Sequence, residues 1–490
     1  MVPSTLFAKK PLSLLLEETD RVRFGLRRVL GPSQLAFFTL GTIVGGGIFV
    51  VIGEAAARHA GPAVIVSLAI AGIVSLLSAL CYVELAAMTP VSGSAYTYTY
   101  ASLGELPGFT VGWILVLEYI AAMATLSIGW SGYFVSLMSR LSIEFPYHLT
   151  ASPTNLVGTD AAQAHGTINL PAALVVLVIS IFLVIGIRES ASGNAFISLL
   201  KFLVILGVIL TGVFYLNKLN WFPFVPANTG SFGDMGLSGI MVAAGLLVFV
   251  YFGADAVATT TEEVRNPQRD IPTALVSGVV ITILLYVLLS AIVIGTVKYT
   301  QLNVPNSLTG FINEVAGLQS LAIILEAGII ISLSSMLLIL SFGASRILFA
   351  IARDGLLPRP LSRIHPRFRT PHVAAIVSSL LTAILAGLLP FGTAVRLVSL
   401  CLLITFAVPC AGVLILRRTA PDYERPFKVP LALLVAPLGL FSCIGLLVSL
   451  LLDDWVSGLI LLVCVGFGIG VYAFYGYKRS HLRRATLNSL

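Results

Sequence analysis

From residue 34 to residue 477 the chain is a succession of apolar stretches, most of them about 20 residues or longer, separated by short polar breaks. In hydrocarbon every backbone N–H and C=O must find its partner inside the protein, which confines such a chain to helices or a closed barrel. Runs of this length suit helices, because barrel strands are about half as long. The pattern predicts an all-α integral membrane protein of about twelve spans. They lie near 34–57, 63–89, 104–139, 168–187, 194–216, 237–262, 272–297, 317–352, 372–390, 393–416, 430–452 and 454–477. Pro171, Pro272 and Pro371 are each expected to open a helix, where a missing N–H leaves nothing unpaired. Charge content agrees: 10% of the residues are charged and mean hydropathy is +0.99, against about 25% charged in a soluble domain.

Lysine and arginine sort onto alternate breaks. With the N-terminus inside, roughly 23 basic residues face the cytoplasm and roughly 4 (Arg58, Arg140, Lys218 and Lys298) face the other side. The expected arrangement is a cytoplasmic segment 1–33, a transmembrane domain 34–477 and a basic cytoplasmic tail 478–490, in the cell membrane. Residues 1–33 are polar and basic and are expected to lack a cleavable leader; Leu12, Leu15 and Leu16, at helical spacing, predict a short amphipathic element at the inner surface, with a disordered tail as the alternative. The net charge of +7 follows from this topology, so membrane lipid is the expected partner and nucleic acid is not.

Cys81, Cys401, Cys410, Cys443 and Cys464 all fall in apolar runs and read as small hydrophobes. His148, His165 and His365 lack ligand spacing, and neither a Walker loop nor a nucleophile triad is present. No metal, cofactor or enzymatic reaction is expected. The outer segment 140–168 carries no motif. Trp113, Trp130, Trp221 and Trp455 read as interfacial anchors, with Tyr96, Tyr98 and Tyr100 near the inner face. Arg396 is expected to snorkel outward.

The most informative segment is Gly41-Thr-Ile-Val-Gly45-Gly46-Gly47-Ile-Phe49, midway along the first span. Each glycine weakens a helix by roughly 1 kcal/mol against alanine, and four within seven positions predict a break. Unwound backbone at membrane depth is tolerated only where it is buried in protein or lines a cavity. Amides released on one side of such a break suit a carboxylate, and carbonyls released on the other suit an ammonium group. An amino acid zwitterion satisfies both; close packing of small residues is the plainer alternative. The sixth span repeats the feature in Phe249-Val-Tyr-Phe-Gly253-Ala-Asp255. Interrupted helices at matching places in two halves point to an inverted repeat with a binding site between them.

Together with Tyr82-Val-Glu84-Leu-Ala-Ala-Met-Thr-Pro-Val-Ser-Gly93-Ser-Ala-Tyr96-Thr-Tyr98, Gly343-Ala-Ser-Arg346, Ala352-Arg-Asp354-Gly-Leu-Leu-Pro358 and Arg425-Pro-Phe-Lys-Val-Pro430, these segments carry a family resemblance. From about residue 25 to about residue 475 the chain resembles the amino acid–polyamine–organocation superfamily, and within it bacterial members of the cationic amino acid transporter family. The resemblance implies a five-plus-five inverted repeat (about 34–216 and 237–416), two extra helices (about 430–477) and alternating access. It implies that the amides of Gly45, Gly46 and Gly47 hold the substrate carboxylate. Carbonyls of Ile43, Phe249 and Phe252 would hold its ammonium, and the Phe249 ring would be a gate. Many relatives carry serine, threonine or alanine where Gly46 stands. Lys201 would lie beside the first break, in the place of a sodium ion, and could exchange a proton; a structural tether is the alternative.

Other charges at membrane depth are functional candidates by default. Glu118 is the acidic partner expected for Lys201, and Asp255 would orient a basic substrate or a proton path. Glu326 would contact the substrate side chain or pair locally, and Glu84 would serve an inner gate or packing. The function expected is secondary active uptake of an L-amino acid with a proton. An amino acid or polyamine exchanger uses the same site and is the near rival; a non-transporting nutrient receptor is a distant one. Cationic against neutral substrates, and any small membrane subunit, are left open.

Overall fold

The structure, a computed structural model, describes residues 35, 40–41, 43–88, 94–153, 166–186, 191–253, 267–302, 306–315, 319–423, 425–481 and 483. Asp255 and the N-terminal segment 1–33 lie outside the described residues. Helices carry most of the rest: α1 (Gly47–Glu54), α2 (Val64–Met88), short α3 (Ser94–Ser102), α4 (Glu105–Arg140), α5 (Leu170–Ile185), α6 (Ala191–Gly212) and α7 (Gly236–Leu247). They continue with α8 (Pro267–Thr296), short α9 (Leu308–Val315), α10 (Gln319–Arg353), α11 (His372–Leu388), α12 (Phe391–Thr419), α13 (Ala432–Asp453) and α14 (Trp455–Val471). Among the described residues there is no strand, only an isolated bridge between Thr150 and Asn169. Among the described residues eight helical stretches are long and apolar enough to cross a membrane, with Leu170–Ile185, Gly236–Tyr251 and His372–Leu388 as shorter apolar helices, and the protein is an all-α multi-pass membrane protein.

The turn between the first two spans is set by Gly61, whose φ of +58° favours glycine and whose missing side chain makes room for Pro226. One expected start moves. α8 opens at Pro267, and Pro272 lies inside it. The fixed φ of Pro267 suits a first helical position, and so close to the start the missing N–H of Pro272 removes a single backbone bond.

Helices five spans apart pack along one another: α2 on α8, α4 on α10 and α5 on α11. At the α4–α10 crossing Gly343 lies under the Tyr119 ring, and Gly112 lies against Tyr96 and Ile351, where any side chain would overlap. Small residues let helices approach where no hydrophobic force distinguishes lipid from protein. Several buried hydroxyls are satisfied within their own helices: Ser75, Ser332 and Ser341 donate to carbonyls one turn back at 2.8 Å. Large apolar side chains on α13 and α14, among them Leu433, Phe441, Leu462 and Phe467, face outward, as a hydrocarbon surround requires.

Buried charges tie the helix ends. At the end rich in arginine, Glu84 on α2 is met by Arg417 and by the Val429 amide beyond α12, at 2.7 Å each. Glu105, fully buried at the start of α4, accepts from Tyr100 (2.9 Å), Tyr472 (2.8 Å) and Ser480, with Arg483 at 3.6 Å. Tyr96 donates to Asp354 at 2.6 Å. Tyr96 and Tyr100 are therefore buried packing and bonding groups and not belt residues, because the carboxylates of Asp354 and Glu105 need their hydroxyls. Of the four tryptophans, Trp113, Trp130 and Trp221 donate to neighbouring helices at 2.9, 2.9 and 3.2 Å, and Trp455 is exposed.

At the opposite end Arg396 does not snorkel. Its Nη2 pairs with Asp453 at 2.7 Å, its side chain 14% exposed, and the same nitrogen lies 3.2 Å from His59. His59 also bonds the Gly233 carbonyl at 2.8 Å. A carboxylate at the end of α13 and an imidazole beyond α1 hold the guanidinium more firmly than headgroup water would.

Candidate substrate site at two helix breaks

The first helix breaks where its glycines stand. Residues 41 and 43 are helical, Val44 to Gly46 are not, and α1 restarts at Gly47. In an unbroken helix the Gly45 amide would donate to the Gly41 carbonyl. It turns instead to the Ile43 carbonyl, at 2.7 Å. That frees the Gly41 oxygen, and the Lys201 ammonium on α6 takes it at 3.3 Å. Gly41 has no side chain because Ser198, on the turn of α6 before Lys201, fills that space. Lys201 is 1% exposed, so its charge depends on protein groups such as this carbonyl.

The sixth span breaks in the same manner. α7 tightens into a 3-10 turn over Val248–Tyr251, Phe252 is extended, and Gly253 has φ +107°. Only glycine adopts that conformation readily. The Phe252 amide donates to the Phe249 carbonyl at 3.1 Å.

The two breaks touch. A Cβ at Gly47 would stand 3.5 Å from the Phe249 carbonyl oxygen and 3.6 Å from its ring. At Gly45 it would stand 3.0 Å from the Met336 sulfur, and at Gly46 it would overlap Leu333, both on α10. The Phe249 and Phe252 rings lie 6.3 Å apart, and Phe252 meets Tyr119 edge-on at 5.2 Å. Tyr286 on α8 donates to the Ile43 carbonyl at 3.1 Å. Ile43, Phe249 and Phe252 are all nearly fully buried.

The Gly45 amide is committed to Ile43, whereas Gly46 caps α1 and Gly47 opens it, where helix amides lack an intrahelical acceptor. Adjacent amides at the start of a helix suit an anion. The backbone could thus hold a carboxylate at Gly46 and Gly47, with the Phe249 carbonyl close by for a cation.

The structure thus brings together Ile43, Gly45, Gly46, Gly47, Phe249 and Phe252, with Lys201 one carbonyl away. Glu118, 1% exposed on α4, accepts from Thr405 on α12 at 2.6 Å. Glu326 accepts from Ser136 at 2.8 Å and Arg140 at 3.0 Å, near the end of α4, and Glu84 belongs to the arginine clasp at the other end of the bundle. Both are held by arginines away from the breaks. Leu333, Met336, Tyr119 and Tyr286 were not singled out in the sequence. They lie within long apolar helices, where nothing in the pattern marks which face meets a break.

The sequence pattern of the amino acid permease family matches residues 30–478. A branched-chain amino acid permease of Bacillus subtilis, BcaP, is 36% identical over 480 residues, covering 98% of this chain and 99% of the relative. A methylthioribose transporter of the same organism is 35% identical over 481 residues, covering 98% and 100%. Human cationic amino acid transporter 4 is 33% identical over 401 residues, which is 82% of this chain and 61% of that longer protein. On a match spanning nearly its whole length, this chain belongs to the amino acid permease family of membrane transporters.

Proposed function

We propose that the protein is a secondary active transporter that takes up L-amino acids with a proton by alternating access, in two inverted repeats, with its basic end in the cytoplasm. The observation that carries this reading is the contact of two helix breaks. It sets the N-terminal end of α1, at Gly46 and Gly47, against the Phe249 carbonyl at the sixth-span break. Such a site selects a carboxylate and an ammonium held on one carbon. The side chain would then meet Leu333, Met336 and Phe249, which favours neutral, apolar amino acids. Glu326 and Glu84 give no support to a cationic preference, since arginines of this chain already hold them. The full-length similarity to a branched-chain permease agrees with this reading. Lys201 is the proposed proton carrier, with Glu118 and Asp255 next in line.

Uptake by purified protein in liposomes tests the proposal. Leucine and isoleucine should accumulate with an inward proton gradient and no sodium. Arginine should be taken up weakly, and methylthioribose, which lacks both charged groups, not at all. Failure of every amino acid, with methylthioribose transported, would overturn the reading.

A further inference from the structure

We infer that Tyr286 is a positioning residue that caps the Ile43 carbonyl whenever no substrate does, and so permits the carrier to reorient without cargo. The inference rests on the amino acid reading of the first-helix break. A carbonyl oxygen has two lone pairs. At Ile43 they are met by the Gly45 amide at 2.7 Å and by the Tyr286 hydroxyl at 3.1 Å. A substrate ammonium held at Ile43 needs one of those positions. The amide is fixed by the backbone turn, whereas the hydroxyl is on a side chain from another helix. The hydroxyl is therefore the donor that yields.

Tyr286 is completely buried and packs on Tyr251 with ring centroids 5.7 Å apart. The Tyr251 hydroxyl cannot replace it, being committed to the Leu68 carbonyl at 2.9 Å. Without the phenol, the Ile43 oxygen would lose that donor in every cargo-free state. A buried acceptor left short of a partner raises the free energy of that state, and of the barrier crossed from it. Net uptake passes through cargo-free reorientation in each cycle. Exchange does not, since an ammonium is present on both crossings.

Tyr286→Phe separates the two modes, as it removes one oxygen and keeps the ring. In proteoliposomes, net uptake into vesicles free of amino acid should fall roughly tenfold or more, while counterflow into preloaded vesicles stays within about twofold of wild type. The half-saturation constant in counterflow should not weaken, because the substrate loses a competitor. Tyr286→Leu, which also lacks the donor, should show the same separation. Parallel loss of both modes, or full retention of both, would make Tyr286 a mere tether between α8 and the first helix and overturn the inference. A counterflow constant weakened about tenfold would place the hydroxyl among the groups that hold substrate, and would also overturn it. If wild-type protein moves amino acid in neither assay, the functional reading fails and this inference falls with it.

Discussion

Glu84 and Arg417 meet fork to fork, Nε on one carboxylate oxygen at 3.0 Å and Nη2 on the other at 2.7 Å. The pair joins α2 to the end of α12, and Arg425 adds a second positive charge 3.6 Å from the same carboxylate. Glu84 is 1% exposed, so loss of its partner leaves a charge with little water. Arg417→Ala should destabilise the protein by about 3 kcal/mol, and adding Glu84→Gln should recover part of the loss. Thermal unfolding in detergent measures both; a double variant less stable than Arg417→Ala would contradict this account.

At Gly46 the structure explains the glycine by its neighbour. The family resemblance implies room for a small side chain there, but in this chain a Cβ would overlap the end of Leu333. Gly46→Val should abolish uptake while leaving folded protein. Gly46→Ser should reduce uptake several-fold, and Leu333→Ala in the serine background should restore much of it. Equal uptake by Gly46→Val and wild type would remove this break from consideration as the carboxylate site.

Phe249 lies at the sixth-span break, its ring against Gly47 and Phe252, and is the proposed gate. Phe249→Ala should raise the half-saturation constant and slow uptake, with Phe249→Tyr much nearer wild type, since an aromatic face is needed to exclude water over bound substrate. Uptake kinetics across the three proteins decide; identical constants would make the ring packing alone.

Lys201 replaces the amide that Gly41 lost, and a lysine can also release its proton, which arginine hardly does. Lys201→Ala and Lys201→Arg should both lose gradient-driven accumulation, with counterflow surviving better in the arginine variant. Accumulation by Lys201→Arg at the wild-type rate would make the residue a fixed charge and move the search for the proton carrier to Glu118.

Backbone features were the legible part of this site. Four glycines in seven positions, and one glycine within a sixth apolar run, announce breaks because few other residues permit them. Lys201 stood out because ammonium groups are rare at membrane depth. Tyr286, Leu333 and Met336 did not, since an apolar helix buried in a bundle has no polar face to give its orientation. The same limit hid the role of Arg396. Its position near a helix end suggested lipid headgroups, and the carboxylate that holds it, Asp453, lies at the far end of the next helix. Pairing across such separations is a property of packing and leaves no local trace.

Three of the groups that surround Glu105 lie far along the chain, Tyr472 by 367 residues and Ser480 by 375, with Arg483 beyond them. Translation at about 5–20 residues per second puts tens of seconds between that glutamate and the groups that complete its shell. During biosynthesis the start of α4 must wait with its carboxylate at the water interface, partnered by little more than Tyr100. It can settle into the bundle only after α14 has been made. Assembly of this end of the protein is thus ordered by the ribosome, and a chain halted before Tyr472 would present the quality-control machinery with an open, charged seam.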